Sequence, residues 1–164
     1  MKKLFVLPIL LTLSLLLSGC FGVMMLPDSD TIGESKTFEG DGITLLLTDR
    51  FTEEKQDGVD AYYVSDFCAV VVMKEKFTVQ EGFGDLTLDE YVQTVQKSNK
   101  LTDVEVKKQD GIPYYTIEEG DTRAYFYFYK GSDAFYFVQY ACNVNNASML
   151  EDTFYLWAHA VEVE

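Results

Sequence analysis

The chain has 164 residues, of which 48% are hydrophobic and 15% aromatic, with a formal net charge of −14. That apolar content excludes a disordered chain despite the charge, and the length suits one domain with a proper core. The excess of acid excludes nucleic-acid binding, which needs Lys and Arg to neutralise phosphates, and excludes electrostatic attraction to anionic membrane surfaces.

The N-terminus reads Met1-Lys2-Lys3, then runs apolar from Leu4 to Leu17, a 14-residue stretch containing Pro8. A membrane-spanning helix needs about 20 apolar residues, so this run is too short. A basic start, a brief apolar core and small residues at its end describe a secretory signal instead. Leu17-Ser18-Gly19-Cys20 resembles the lipobox of bacterial lipoproteins. The resemblance implies that the Cys20 thiol receives a diacylglyceryl group and that cleavage removes residues 1–19. Two acyl chains hold a protein stably where one holds marginally, at about 0.8 kcal/mol per buried methylene. No second, polybasic signal is then required. Losing Lys2 and Lys3 moves the net charge from −14 to −16. The expected location is the extracytoplasmic face of a cell membrane, reached through the lipid.

Residues 20–36 switch from apolar to small and polar, and read as the lipidated cysteine and a tether. A single domain is expected over 37–164. "KTFEGDGITLLLTD" predicts a short strand, a turn at Asp41-Gly42, and a strand over Ile43 to Thr48. A polar loop and strands near Ala61 to Ser65 and Cys68 to Phe77 follow. The continuous apolar run from Ala69 to Met73 predicts a strand covered on both faces.

"TLDEYVQTVQKSNK" predicts a helix, with Thr87 and Glu90 forming a capping box and Leu88, Tyr91, Val92 and Val95 one apolar stripe. Asp110-Gly111 and Gly120-Asp121 punctuate strands near Val104 to Gln109 and Pro113 to Glu118. "TRAYFYFYKGSDAFYFVQYAC" predicts a hairpin turning at Gly131-Ser132, with Phe128 opposite Phe135 and Phe126 opposite Phe137. One face is then all phenylalanine. The other carries Tyr125, Tyr127, Tyr129, Tyr136, Val138 and Tyr140. Asn146 is the expected cap of a last helix, whose buried face is Leu150, Phe154, Trp157, Ala158 and Val161. The class is α+β, an antiparallel sheet with two helices.

This order of elements resembles the PsbP-like fold, which includes an extrinsic subunit of photosystem II, a small Ran-binding protein and many bacterial lipoproteins. The matching stretches are "GITLLLTDRF", "TLDEYVQTV", "GIPYYTIE", the "AYFYFY…FYFVQYAC" hairpin and the closing helix, together spanning residues 37 to 163. The resemblance implies an α/β/α sandwich around an antiparallel sheet, and binding or assembly rather than catalysis. It carries no catalytic motif.

Several residues invite chemistry. Asp28, Asp30, Gly33 and Glu39 fall at positions 1, 3, 6 and 12 of a calcium loop, but Ile32 takes a ligand position and no helix precedes them. His159, the only histidine, lacks a recognisable nucleophile and reads as a surface residue near a helix end. One His and two non-lipidated Cys are too few for zinc, so no metal and no cofactor are expected. Glu53-Glu54 and Glu118-Glu119 read as solvated charge. Cys68 and Cys142 lie in apolar strands, where an extracytoplasmic disulfide and a pair of buried thiols are both open. The tyrosine face (Tyr125, Tyr127, Tyr129, Tyr136, Tyr140) is expected to stabilise the sheet, and becomes a recognition surface if its rings form an exposed patch. The expectation for the whole is a membrane-anchored, non-enzymatic protein-binding or assembly domain. A small-ligand or cation sensor is the alternative, and an enzyme would need carboxylates alone in a cleft.

Overall fold

The computed structural model describes residues 32–164. Two strands open this region, β1 (Ser35–Glu39) and β2 (Ile43–Thr48), followed by β3 (Thr52–Glu54), β4 (Ala61–Val64) and β5 (Cys68–Lys76). Helix α1 (Leu88–Ser98) leads to β6 (Lys107–Gln109), β7 (Ile112–Glu119), β8 (Thr122–Lys130) and β9 (Ala134–Asn143). Helix α2 (Val144–His159) and a two-residue strand β10 (Glu162–Val163) close the chain. The residues expected to form a signal and lipobox, Cys20 among them, lie outside the described residues.

The main sheet has seven strands in the order β3-β4-β5-β9-β8-β7-β6, antiparallel throughout. Successive side chains on a strand point to opposite faces, so a strand apolar at every position must be covered on both. All ten residues of β9 are buried, as are Cys68 to Met73 of β5. On one face Val71, Met73, Ala124, Phe126, Phe128, Phe135, Phe137 and Ala141 pack with Tyr91, Val92 and Val95 of α1. On the other, the tyrosines and Val70, Val72 and Val138 pack against Leu150, Phe154, Trp157 and Ala158 of α2. A second sheet, β1-β2-β10, lies on that same face and contributes Ile43, Leu45 and Leu47 to the core. Helix, sheet, and helix with small sheet make three layers, and the expected α+β class holds.

Helix α1 starts where its capping box predicts. The Glu90 carboxylate accepts from the Thr87 amide at 2.8 Å, and the Glu90 amide donates to Thr87 Oγ1 at 3.3 Å. Its apolar stripe docks Tyr91 flat on Phe135, with ring centroids 4.2 Å apart. The turn at Asp110-Gly111 is also as expected. Both residues are left-handed, at φ 48° and 90°, which matches the two-residue hairpin that fits strand twist.

Three local expectations need correction. The β8–β9 turn is centred one residue later, on Ser132-Asp133, with the Gly131 amide donating to the Ala134 carbonyl at 2.9 Å. Phe128 therefore faces Phe137, and Phe126 faces Gln139. A slip of two residues leaves every side chain on its face, so the phenylalanine and tyrosine sides survive. Gly131 is needed for close approach, because a Cβ there would collide with the Glu164 carbonyl oxygen. The cap of helix α2 lies three residues before the expected one. Asn143, the last residue of β9, accepts from the Asn145 amide at 3.0 Å, and Asn146 is buried inside the helix. Glu53-Glu54 belongs to edge strand β3 rather than a loop, where its charges blunt an open sheet edge.

One buried cation ties the sheets together. Lys74 Nζ, on β5, lies 3.2 Å from Asp41 in the β1–β2 turn and 3.5 Å from Asp133 in the β8–β9 turn. It also sits over the Tyr136 ring, 5.4 Å from the centroid. Burial alone would lower its pKa, but the Tyr136 hydroxyl and Asp41 outweigh that and raise it, which holds the ammonium charged.

Phe135 is fully buried among Phe77, Phe83 and Tyr91. Phe135→Ala is expected to lower unfolding free energy by about 3–5 kcal/mol in urea titration, since the flanking rings cannot close the void.

Candidate functional site

The tyrosine face is not an exposed surface. Tyr125, Tyr127, Tyr136 and Tyr140 are at most 1% exposed and Tyr129 is 8% exposed. Helix α2 covers Tyr125 and Tyr140, with Phe154 5.3 Å from each, while Tyr136 lies against the β1–β2 turn, its hydroxyl donating to the Asp41 carbonyl at 3.4 Å. Tyr129 donates to the Ala158 carbonyl at 2.8 Å, while the Tyr140 hydroxyl is buried without a partner. Desolvation raises the pKa of both phenols. These rings bind the helix to the sheet, and that occupies the face offered for recognition.

Cys68 and Cys142 lie on this same face as buried thiols, directly opposite one another on β5 and β9. Ser65 Oγ donates to the Cys68 carbonyl at 3.0 Å and lies 3.8 Å from its sulfur. Burial pushes the Cys142 thiol up to about 12, and Arg123 pulls it back only partly. Cys68 rises for the same reason.

Under α1 a polar group sits in an aromatic bed. Tyr115 Oη and both amide ends of Gln139 are buried without hydrogen-bond partners, and the Glu75 carboxyl lies beside the Tyr91 hydroxyl. Desolvation raises the Glu75 carboxyl, and Asp60 adds to the rise, while the nearby Tyr91 hydroxyl works against it. Uncompensated buried polar atoms of this kind cost stability.

His159 has partners that its position in sequence does not disclose. Its Nε2 lies 3.4 Å from Asp110 Oδ2, and its Nδ1 lies 3.2 Å from the Tyr155 carbonyl. The Tyr155 hydroxyl donates to the same Asp110 oxygen. The β6–β7 turn is thereby latched to the last turn of α2. Such a trio can bridge two elements, but acyl-transfer chemistry also needs a nucleophile on the imidazole. The Asp110 carboxylate instead faces water, its side chain 70% exposed.

The carboxylate pairs do not converge. Glu118 pairs with Arg123 across the β7–β8 ladder, and Glu119 is exposed beyond it. Glu53 and Glu54 point to opposite sides of an edge strand, opposite Tyr63 and Tyr62, whose phenols they help to raise after desolvation. Of the calcium-loop residues, Asp28 and Asp30 lie outside the described residues, and Glu39 sits in β1 opposite Thr44. Among the described residues no cluster of three or more His, Cys, Asp or Glu is placed to hold a metal ion. No described helix is long and apolar enough to cross a membrane.

Residue-by-residue reading missed Lys74 with Asp41 and Asp133, and missed Asp110 as the partner of His159. The Asp-Gly turn signal marked Asp110 as a bend, but its contact with a helix 45 or more residues away is purely tertiary.

No protein-family model matches the chain, and no curated protein matches it in sequence. Among solved structures the chain is similar to the solution structure of cyanobacterial PsbP (CyanoP) from Synechocystis, with a TM-score of 0.56 and 13% identity over 87% of this chain and 100% of that one. It is also similar to a crystal structure from Bacteroides thetaiotaomicron, with a TM-score of 0.52 and 10% identity over 81% of this chain. The similarity spans 49% of that longer chain, about half its length. The fold is PsbP-like.

Glu75 offers a pH-dependent test. Its raised pKa means the folded chain holds this proton more tightly than the unfolded one, whose value is about 4.3. The contribution to stability is therefore present at low pH and is lost as pH rises through the folded value. Glu75→Gln is expected to melt a few degrees above the parent at pH 7, with the difference vanishing near pH 4 in thermal denaturation scans.

Proposed function

We propose that the protein is a lipoprotein moored through Cys20 to the outer side of the cytoplasmic membrane, and that its PsbP-like domain is a non-catalytic binding or assembly module. The observation that carries the binding role is the commitment of both faces of the main sheet to core packing. Recognition is left to outer helix surfaces, sheet edges and turns, which suit a macromolecular partner better than a small ligand enclosed by the sheet. Among the described residues, the large apolar side chains left exposed are Leu46, Val79 and Leu156. Of the candidate groups, His159 ties α2 to the β6–β7 turn through Asp110, Glu118 pairs with Arg123, and Glu75 lies under α1. Similarity to CyanoP supports the same reading at the level of fold.

The anchor is tested by feeding cells an alkyne palmitate. The parent chain is expected to take up label and sediment with membranes, and Cys20→Ser to do neither. Binding is tested by placing a photo-crosslinking amino acid at Leu46, Val79, Leu156 and, as a control, exposed Lys100. A discrete adduct at one of the apolar positions, absent from the control and from the Cys20→Ser chain, is expected. Uniform absence at all three sinks the binding role.

A further inference from the structure

We propose that Cys68 and Cys142 form a disulfide across the central β5–β9 pair when the chain folds in the presence of a disulfide oxidant. The backbone decides this. In an antiparallel ladder, opposed residues alternate between hydrogen-bonded pairs and non-hydrogen-bonded pairs, and the side chains of the second kind lie closer. The Phe77 amide donates to the Asp133 carbonyl at 2.8 Å, which makes that pair hydrogen-bonded in the β5–β9 register. Cys68 is nine positions along, an odd number, so Cys68 and Cys142 form a non-hydrogen-bonded pair.

Two further bonds agree. The Cys68 carbonyl accepts from the Ser65 amide at 3.0 Å, so its backbone faces β4 and turns away from β9. The Gly131 amide donates to Ala134 in the β8–β9 ladder, and Cys142 is an even eight positions beyond Ala134, so its backbone faces β8. Both side chains point into the same core under α2. The Cα separation typical of such a pair, about 4.5 Å, falls within the range of about 4.4–6.8 Å that disulfides span.

The chemistry balances with an external disulfide, either a protein oxidant or glutathione disulfide. One thiolate attacks an oxidant sulfur, forming a mixed disulfide and releasing one oxidant thiolate. The second cysteine thiolate then attacks the protein-bound sulfur, breaking the mixed bond and releasing the other. Two cysteines lose two electrons and two protons, and the oxidant disulfide becomes two thiols.

Burial sets the timing. Both sulfurs are 0% exposed as residues, and their thiols resist ionising in the packed core. Oxidation therefore precedes the docking of α2, and the finished bond is shielded from reductants. It acts as a permanent staple on the central strands, not a reversible switch.

The supply of oxidant in cells rests on the extracytoplasmic location proposed above, so the test has two arms. In the first, purified full-length chain in detergent is refolded in a glutathione buffer, and separately exposed to it after folding reduced. Refolding is expected to give a Cys68–Cys142 crosslinked peptide in mass spectra, with the folded reduced chain oxidising at least tenfold more slowly. The oxidised form is expected to melt roughly 5–15 °C above the reduced one. The Cys68→Ala, Cys142→Ala double variant should show no such dependence on reductant. Failure to form the bond on refolding overturns the proposal. In the second arm, acid-quenched cells are blocked with a light alkylating reagent, reduced, and labelled with a heavy one. Heavy label on both cysteines supports the staple in its native setting. Light label on both, together with palmitate on Cys20, overturns it while the anchor stands. Light label on both without palmitate overturns the location instead, and the refolding arm alone then decides the bond.

Discussion

Strand β9 imposes the constraint on which the rest of this domain depends: it is buried along its whole length, between two neighbours and beneath two layers. A strand in that position has no solvent face, and its register with β5 and β8 sorts the aromatic side chains into two chemically different sets. On β8 and β9 the phenylalanines go to the α1 side and the tyrosines to the α2 side. An odd slip in register would exchange the sets and strand phenol hydroxyls under α1. An even slip would not, which is why the hairpin turn can sit one residue away from its expected centre without disturbing either core.

The two sides then hold their covers differently. Helix α1 rests on ring packing and its own capping box, with polar orphans such as Gln139 left beneath it. Helix α2 is held by rings and by Tyr129 reaching a carbonyl near its C-terminus, and its outer side is latched to the β6–β7 turn through Asp110. The small sheet is fastened at a third place, where Lys74 meets both turns and the chain end comes close to Gly131. Small residues at Gly42 and Gly131 are conditions of that closure, since a Cβ at Gly42 would strike the Tyr136 hydroxyl and one at Gly131 the terminal strand.

This economy explains how a PsbP-like fold can be shared at 13% identity. What the architecture demands is a period of two on the central strands, one amphipathic helix per face, and turns of fixed length. Many sequences meet those demands. The same tolerance means that the shared fold says little about chemistry, and the functional reading rests on the proposed anchor and on what the surface leaves free.

Local physics made the class, the order of most elements, the α1 capping box, the Asp-Gly hairpin and the two-faced aromatic hairpin legible in the sequence, because each depends on neighbours within a few residues. Tertiary structure decided everything that depends on distance through space. It buried the tyrosine face under α2 and the small sheet, set Cys68 against Cys142, brought His159 to Asp110, and recruited β10 to β2. No local signal could have revealed these, since each joins segments far apart in the chain, and only the packing of layers brings them together.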